Sequence, residues 1–119
     1  MTMPTAAAQR LIANAMSEED LLTCCIDLAH ALGYRVAHFR PARTAKGWRT
    51  AMTGDAGFPD LVLANGQRVI FAELKAEGKK PTRVQWNWLA ALEVMKPVEV
   101  HVWLPSQWLS GEIERCMQR

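Results

Sequence analysis

The sequence has little cysteine: Cys24, Cys25 and Cys116 are its only three, and no two of them form a CxxC pair. An odd number without that spacing argues against a disulfide framework. The three histidines show no zinc-ligand spacing with these cysteines or with one another. We therefore expect reduced thiols in a cytoplasmic compartment and no zinc-binding sequence motif.

Long apolar runs are also missing. None approaches the roughly 20 residues that a helix needs to span a bilayer. The first residues lack the charged-then-apolar pattern of a secretory signal peptide. These absences predict a soluble protein that is not exported and has no membrane partner.

Acidic residues are absent between Asp27 and Asp55, although the net charge of the chain is only +2. Basic side chains and one tryptophan occupy this interval, at Arg40, Arg43, Lys46, Trp48 and Arg49. A second acid-free patch holds Lys79, Lys80 and Arg83. Local basic clusters favour a polyanionic partner, and arginine with tryptophan suits phosphate contact and base stacking. Solvated loops are the alternative interpretation.

The order of apolar patterns predicts one small α/β domain. The chain has 119 residues, a length that fits a single domain. Residues 1–16 are alanine-rich and weakly patterned, and we interpret them as an N-terminal arm before a domain that spans 17–119. From residue 17 the patterns give the order α-β-β-β-α-β-α, which predicts a mixed β-sheet flanked by helices.

The pair Asn65-Gly66 lies between two apolar runs and predicts a β-hairpin with a type I′ turn. With a two-residue loop, Asp60 stands opposite Phe71 and is a diagonal neighbour of Glu73. Side chains alternate between the faces of a sheet, so Asp60, Glu73 and Lys75 project from one side. A three-residue loop would reverse this parity and separate the two acids.

Asp60, Glu73 and Lys75 together predict an oxygen-ligand site for a hard cation beside a positive charge. Mg²⁺ is usually held by one or two carboxylates plus substrate phosphate, and the carbonyl of Leu74 is a plausible third protein ligand. Such an ion polarises a phosphate and lowers the pKa of a bound water, while the lysine orients that water or stabilises developing charge. Hydrolysis of a phosphodiester is the chemistry that this set predicts.

The helix that begins after Ser17 offers a further acid. At 100° per residue, Glu18 falls within the apolar stripe of this helix, whereas Glu19 and Asp20 rotate away from it. Because a carboxylate on a buried face needs a partner, Glu18 is a candidate to complete the metal site or to hold a second ion. The alternative is that Glu18 reaches solvent at the positive end of the helix dipole.

A later helix begins at Thr82, where Gln85 stands three residues on. This spacing matches a capping box, in which the two side chains bond each other's backbone amides. Gln85 therefore has a structural role, and Pro97 marks the end of the helix near Met95.

The stretches Gly57-Phe58-Pro59-Asp60 and Glu73-Leu74-Lys75 resemble the signature of the PD-(D/E)XK nuclease superfamily, and more narrowly of its VRR-NUC branch, the virus-type replication-repair nucleases. The resemblance covers nearly the whole chain from about Ser17. It implies a restriction-endonuclease-like core, Mg²⁺ or Mn²⁺ as cofactor, and cleavage of branched or flapped DNA. Stand-alone members of this size are similar to phage-encoded proteins and tend to be homodimers. The resemblance also implies a role in DNA repair in a bacterial or phage-infected cell.

Carried over by position, the resemblance makes Asp60 and Glu73 the metal ligands, Lys75 the catalytic lysine and Gln85 the motif glutamine. Glu18 becomes the helical acid, since it lies in the apolar stripe. Each of these roles is implied by the motif and awaits the geometry of the site.

The first helix departs from the family pattern in one respect. Family members often have a glutamine one turn after the helical acid, and here the position is Leu22. Glu19 is the fallback for the helical acid.

Two functional hypotheses follow. The first is a metal-dependent, structure-selective endonuclease that acts on DNA junctions, forks or flaps, with RNA as a variant substrate. The second is a nucleic-acid-binding or assembly module on a nuclease-like fold that has no turnover, because fold alone does not secure function.

Oligomeric state follows from the first hypothesis. Cutting both strands of a junction requires two active centres, so we expect a symmetric homodimer. The N-terminal arm and the residues Trp103, Trp108 and Leu109 are candidates for its interface.

Overall fold

The computed structural model describes residues 4–39 and 53–119, together with the backbone of 42–44 and 47–49. The elements in chain order are α1 (Ala6–Ala15), α2 (Glu18–Ala31), β1 (Arg35–His38), β2 (Ala42–Thr44), β3 (Gly47–Arg49), β4 (Leu61–Ala64), β5 (Val69–Leu74), α3 (Arg83–Glu93), β6 (Glu99–Trp103), α4 (Pro105–Leu109) and α5 (Glu112–Gln118). Within the described residues, no helix has both the length and the apolar character to cross a membrane.

Four strands form one mixed sheet in the order β1-β4-β5-β6. The first three are antiparallel neighbours, and β6 runs parallel to β5 because α3 provides the crossover between them. The predicted mixed α/β architecture is confirmed. The sequence patterns predict no strand in the basic connection after β1, but this connection contains the small antiparallel hairpin β2-β3, in which Arg43 pairs with Trp48.

The two faces of the sheet have different roles. One face, called the core face here, presents fully buried apolar side chains to α2 and α5; its members on the central hairpin are Leu61, Leu63, Ile70, Ala72 and Leu74. The predicted stripe of α2 supplies Leu21, Cys25 and Ala29 to this core, each with no exposed surface. The alternate residues of β4 and β5 point to the opposite face, called the acidic face here, which carries Asp60, Glu73 and Lys75.

The central hairpin has a different register from the predicted one. Ala64 pairs with Val69, so four residues form the loop instead of two. A type I′ turn needs positive φ at both central residues, yet Gly66 has φ +87° while no residue other than glycine has positive φ in the described chain. The side chain of Asn65 instead accepts hydrogen bonds from the amides of Gln67 and Arg68 at 3.0 and 2.9 Å, which closes an Asx-type turn.

The N-terminal segment contains a helix. Thr5 caps α1 by accepting a hydrogen bond from the Ala8 amide at 3.1 Å. Ala13 is 2% exposed where α1 packs beside α4, whereas Leu11 and Ile12 remain 72% and 47% exposed. The segment is thus joined to the body of the protein and leaves an apolar strip uncovered.

Arg68, in the hairpin loop, connects four parts of the chain. Its guanidinium makes a bidentate ion pair with Glu99 at the start of β6, with N–O distances of 2.7 and 2.8 Å. It also donates to the Tyr34 hydroxyl at 2.8 Å and to the carbonyls of Met117 and Arg119 at 3.3 and 3.2 Å. The hydrogen bonds from Arg68 hold the pKa of Glu99 below its ordinary value. The loop end of the hairpin is therefore fixed to β6 and to the C-terminus.

We expect Arg68→Met to lower the free energy of unfolding by about 2–3 kcal/mol, because it leaves the half-buried Glu99 carboxylate without its counter-ion. Adding Glu99→Gln removes that charge, so the double variant should regain part of the loss. Urea unfolding in the presence of a chelator measures both effects. Strictly additive losses in the two variants would show that the pair is not coupled.

Candidate active site

Asp60 lies immediately before β4. Continuing the observed register by one residue places Asp60 directly opposite Glu73, so the two are facing neighbours and not the predicted diagonal ones. The four-residue loop adds two residues to the predicted one, so the parity is unchanged and the acids still share a face. The Asp60 side chain also accepts a hydrogen bond from the Leu74 amide at 2.9 Å, which fixes one of its oxygens beside β5.

The turn before Asp60 is docked on the first turn of α3. Gly57 has φ +98°, and a Cβ added there would lie 2.6 Å from the Val84 carbonyl oxygen and 2.9 Å from the Gln85 amide nitrogen. Both the backbone conformation and the close approach therefore require glycine. Pro59, two residues later, is fully buried. These contacts determine where Asp60 enters β4.

Phe58 anchors the same turn from the other side. Its ring makes edge-to-face contacts with Phe39, Phe71 and Trp88, at centroid distances of 5.4, 5.9 and 5.0 Å. The indole nitrogen of Trp88 donates to the Asp55 carbonyl at 3.1 Å, so α3 holds the turn at two points. Aromatic pairs of this geometry are worth about 0.5–1.5 kcal/mol each beyond their buried area.

Among the charged residues that the structure describes, Glu73 is the one that is buried, and it has no exposed surface. Neither of its carboxylate oxygens has a hydrogen-bond partner among the described residues. Burial, and next the adjacent carboxyl of Asp60, raise the pKa of Glu73 to about 9, while the Lys75 cation opposes the shift. Ionising both carboxyls of this pair is therefore costly, and a cation bound between them would relieve that cost.

The donor set fits a hard divalent cation. Two carboxylates on facing strand positions supply oxygen ligands, and the unpartnered oxygens of Glu73 are the groups that a cation would satisfy. The carbonyl of Leu74, between Glu73 and Lys75, is the backbone oxygen that the sequence predicted as a third ligand. Asp60 and Glu73 would hold the ion, with Lys75 half-buried on the same face.

The helical acid is not brought to this pair. Glu18 and Glu19 lie in the exposed first turn of α2, where Ser17 and Asp20 complete a capping box, and α2 packs on the core face. Within the described residues, the acids Glu18, Asp60 and Glu73 do not belong to any group of three ligand side chains whose atoms converge. The metal role of Glu18 stays a prediction.

Gln85 performs the structural role that its spacing predicts. Its side chain accepts a hydrogen bond from the Thr82 amide at 2.8 Å, and the Thr82 hydroxyl accepts one from the Gln85 amide at 3.4 Å. The capping box at the start of α3 is thereby confirmed. This box stiffens the same helix turn on which Gly57 docks. A contact of Gln85 with substrate stays a prediction.

The basic residues divide between described and undescribed parts of the chain. Lys79, Lys80 and Arg83 are exposed in the turn after β5 and at the start of α3. The other predicted DNA-contacting side chains lie outside the described residues: Arg40, Arg43, Lys46, Trp48 and Arg49. Trp103, predicted as an interface residue, is only 2% exposed and belongs to the core, because its strand position faces α5. Trp108 and Leu109 are half-buried.

A four-stranded mixed sheet flanked by helices, with an acidic pair at the open end of its central hairpin, defines an α/β fold of the restriction-endonuclease-like class. The chain is similar to a solved structure of a VRR_NUC domain, with a TM-score of 0.63 and 21% sequence identity over 82% of this chain and 94% of that chain. This likeness shows a nuclease-like fold. No family model matches the sequence, and no curated protein matches it.

Sequence reasoning missed the tight contact between Gly57 and α3. A glycine two residues before a proline was visible, but the required close approach depends on where a distant helix packs. The direct opposition of Asp60 and Glu73 was also missed. The Asn65-Gly66 pair predicts a two-residue loop from backbone preference alone, whereas the Asn65 side chain closes a longer turn and so shifts the register.

We expect Gly57→Ala to lower the free energy of unfolding by about 3 kcal/mol, since the added methyl group strains the backbone and overlaps the Val84 carbonyl. Gly78→Ala is the matched control, because Gly78 has φ +80° but open space around its Cβ position. That control should lose about 1 kcal/mol, the cost of the backbone conformation alone. Equal losses in urea unfolding would contradict the docking role of Gly57.

We expect Mg²⁺ or Mn²⁺ to stabilise the wild type against heat, by about 2.7 kcal/mol at a metal concentration of 100 times Kd. Glu73→Gln should abolish this stabilisation, because the amide cannot supply a carboxylate ligand. Glu114→Gln, at an exposed position on α5, should retain it. Differential scanning fluorimetry with metal and with chelator makes the comparison, and stabilisation that persists in Glu73→Gln would exclude Glu73 as a ligand.

Proposed function

We propose that this chain is a member of the VRR-NUC family and a Mg²⁺- or Mn²⁺-dependent endodeoxyribonuclease that selects branched or flapped DNA. The observation that carries the proposal is the buried carboxyl of Glu73, which has no hydrogen-bond partner among the described residues and lies directly opposite Asp60. Proteins rarely retain such a group without a use for it, and perturbed carboxyls of this kind mark functional sites. The nuclease-like fold and the motif resemblance support the same reaction.

The residues have distinct roles in this mechanism. Asp60 and Glu73 would hold the cation, which would supply Lewis-acid polarisation of the scissile phosphate. The Leu74 amide donates to one oxygen of Asp60 and so fixes the carboxylate, which would need little reorganisation to bind the ion. Lys75 orients the attacking water or stabilises the charge that develops on the phosphate.

The substrate side of the proposal rests on charge and on the resemblance. Exposed Lys79, Lys80 and Arg83 follow β5, the strand that carries Glu73, and they offer positive charge to a phosphate backbone. The preference for junctions, forks or flaps comes from the family resemblance alone.

A homodimer is part of the proposal. The exposed pair Leu11 and Ile12 on α1 gives the N-terminal helix an apolar strip suited to burial against a second copy. Trp103 is excluded as an interface residue by its burial. Light scattering after size exclusion should return twice the chain mass of 13.3 kDa.

We expect the purified protein to cut labelled flaps, forks or four-way junctions when Mg²⁺ or Mn²⁺ is present and to leave them intact with chelator. Asp60→Asn should abolish cleavage because it removes a metal ligand. Lys75→Met should lower the rate by about 10²-fold or more, the usual effect of losing one charge-stabilising group. Lys96→Met, an exposed lysine after α3, is the matched control and should keep wild-type cleavage.

Linear duplex, single-stranded DNA and RNA complete the substrate panel. If the wild type binds these nucleic acids but cuts none with either metal, the chain is a binding or assembly module instead of an enzyme. Preference for RNA would retain the hydrolytic mechanism and replace the proposed substrate.

A further inference from the structure

A second cluster of potential ligands lies on the core face of the sheet, away from the acidic pair. Glu99 and His101 alternate along the strand β6, which places both on the side that α5 covers. Cys116 of α5 is 6% exposed and meets them there. The ligand atoms of these three side chains all lie within 4.8 Å of one another. Among the described residues, this is the one group of three potential metal ligands that converge in this way.

The distances suit a small dication. The Cys116 sulfur is 3.5 Å from Nε2 of His101, and Oε1 of Glu99 is 3.9 Å from the same nitrogen. A tetrahedral Zn²⁺ site, with bonds of about 2.0–2.3 Å, separates its ligand atoms by about 3.3–3.8 Å. Two of the ligand separations are already close to this range, and side-chain shifts of about 1 Å would bring all three ligand atoms onto one ion.

Nitrogen groups surround the Cys116 sulfur. Nε2 of His101 lies 3.5 Å from it, the guanidinium of Arg119 donates to it at 3.4 Å, and Nη2 of Arg68 lies 3.9 Å away. Cys25, buried in the core, provides the contrast, because burial raises the pKa of that thiol to about 12. Of these two buried cysteines, Cys116 is the one surrounded by nitrogen donors.

Arg68 is compatible with an ion at this cluster. It engages both oxygens of Glu99 and so fixes the carboxylate plane, as hydrogen-bonded partners of metal ligands usually do. Each carboxylate oxygen has a second lone pair, so Oε1 can bind a cation while it keeps the bond from Arg68. Arg119 is exposed at the last position of the chain and can move away from the sulfur.

We propose that Glu99, His101 and Cys116 form a second metal site, which binds Zn²⁺ and fastens α5 to the edge strand β6. Sulfur, imidazole and carboxylate together select a borderline-soft ion such as Zn²⁺, whereas Mg²⁺ takes oxygen ligands. Three protein ligands leave a fourth position for water. The three ligand residues are separate from the acidic pair, so the proposal does not rest on the proposed nuclease activity.

Co²⁺ is the spectroscopic probe for the full-length protein, because cobalt bound to a thiolate gives a charge-transfer absorption band. We expect the metal-free wild type to develop this band with a stoichiometry of one, and Zn²⁺ to displace it. Zn²⁺ should also raise the melting temperature by about 5 °C or more at saturating metal. Mg²⁺ should not displace Co²⁺, so the absorption band should remain when Mg²⁺ is added.

Matched variants separate this site from the other cysteines and from the acidic pair. Cys116→Ser should lose the band, and Cys24→Ser, on the outer side of α2, should keep it. Asp60→Asn should also keep it, so a failure of the nuclease proposal leaves this test unaffected. Glu99→Gln and His101→Gln are further variants, each expected to weaken Co²⁺ binding by about tenfold or more.

Three results would overturn the proposal. One is the absence of a thiolate band in folded wild type, and a second is a band that survives in Cys116→Ser. The third is a fall in melting temperature with Zn²⁺, which would mean that the metal binds the unfolded chain. Circular dichroism confirms that each variant is folded before its spectrum is compared.

Discussion

Glu73 is buried on a central strand of the sheet, and its carboxyl has no hydrogen-bond partner in the part of the chain that the structure describes. The surrounding structure has to keep it there. A carboxyl in such surroundings would be expelled or replaced unless the fold held it firmly. The core face of β5 provides this hold, because Ile70, Ala72 and Leu74 are buried on the other side of the same strand. The apolar core thus stabilises β5, although the opposite face of this strand carries the buried carboxyl of Glu73. The free-energy cost of burying that carboxyl is local, and a bound cation would relieve it.

The hairpin that carries the acids is restrained at both ends. At the loop end, Arg68 joins it to β6 and to the C-terminal helix. At the open end, the Asp60 side chain bonds the Leu74 amide, and Gly57 fits against α3. A slip of two residues would keep every side chain on its own face but would move Asp60 away from Glu73. These restraints therefore protect the pairing itself, which alternation alone does not specify.

Much of the fold could be predicted from the sequence, because its signals are local. Ser17 and Thr82 mark the helix starts that the structure shows, continuous apolar runs mark β4 and β5, and alternation marks β6. The predicted sharing of one face by Asp60 and Glu73 is also correct, since parity survives an error of two residues in the loop. What failed depended on side-chain chemistry, as at Asn65, whose amide group built a turn that backbone preference did not predict.

Other features could not be predicted, since they depend on residues far apart in sequence. The burial of Trp103 depends on where α5 lies, and the meeting of Glu99, His101 and Cys116 joins a strand to a helix that follows it. No spacing rule for zinc ligands covers a set of this kind. The docking of Gly57 on α3 likewise depends on the tertiary arrangement.

That docking has a consequence for the smallest unit that can bind metal. Residues 57–75 contain both acids and the lysine, yet their arrangement depends on the backbone of Val84 and on the ring of Trp88, which lie outside that stretch. An excised peptide of this segment would have the ligands without the geometry. Metal affinity at the acidic pair is in this sense a property of the assembled tertiary structure, and its appearance during refolding would report the moment at which α3 reaches its place.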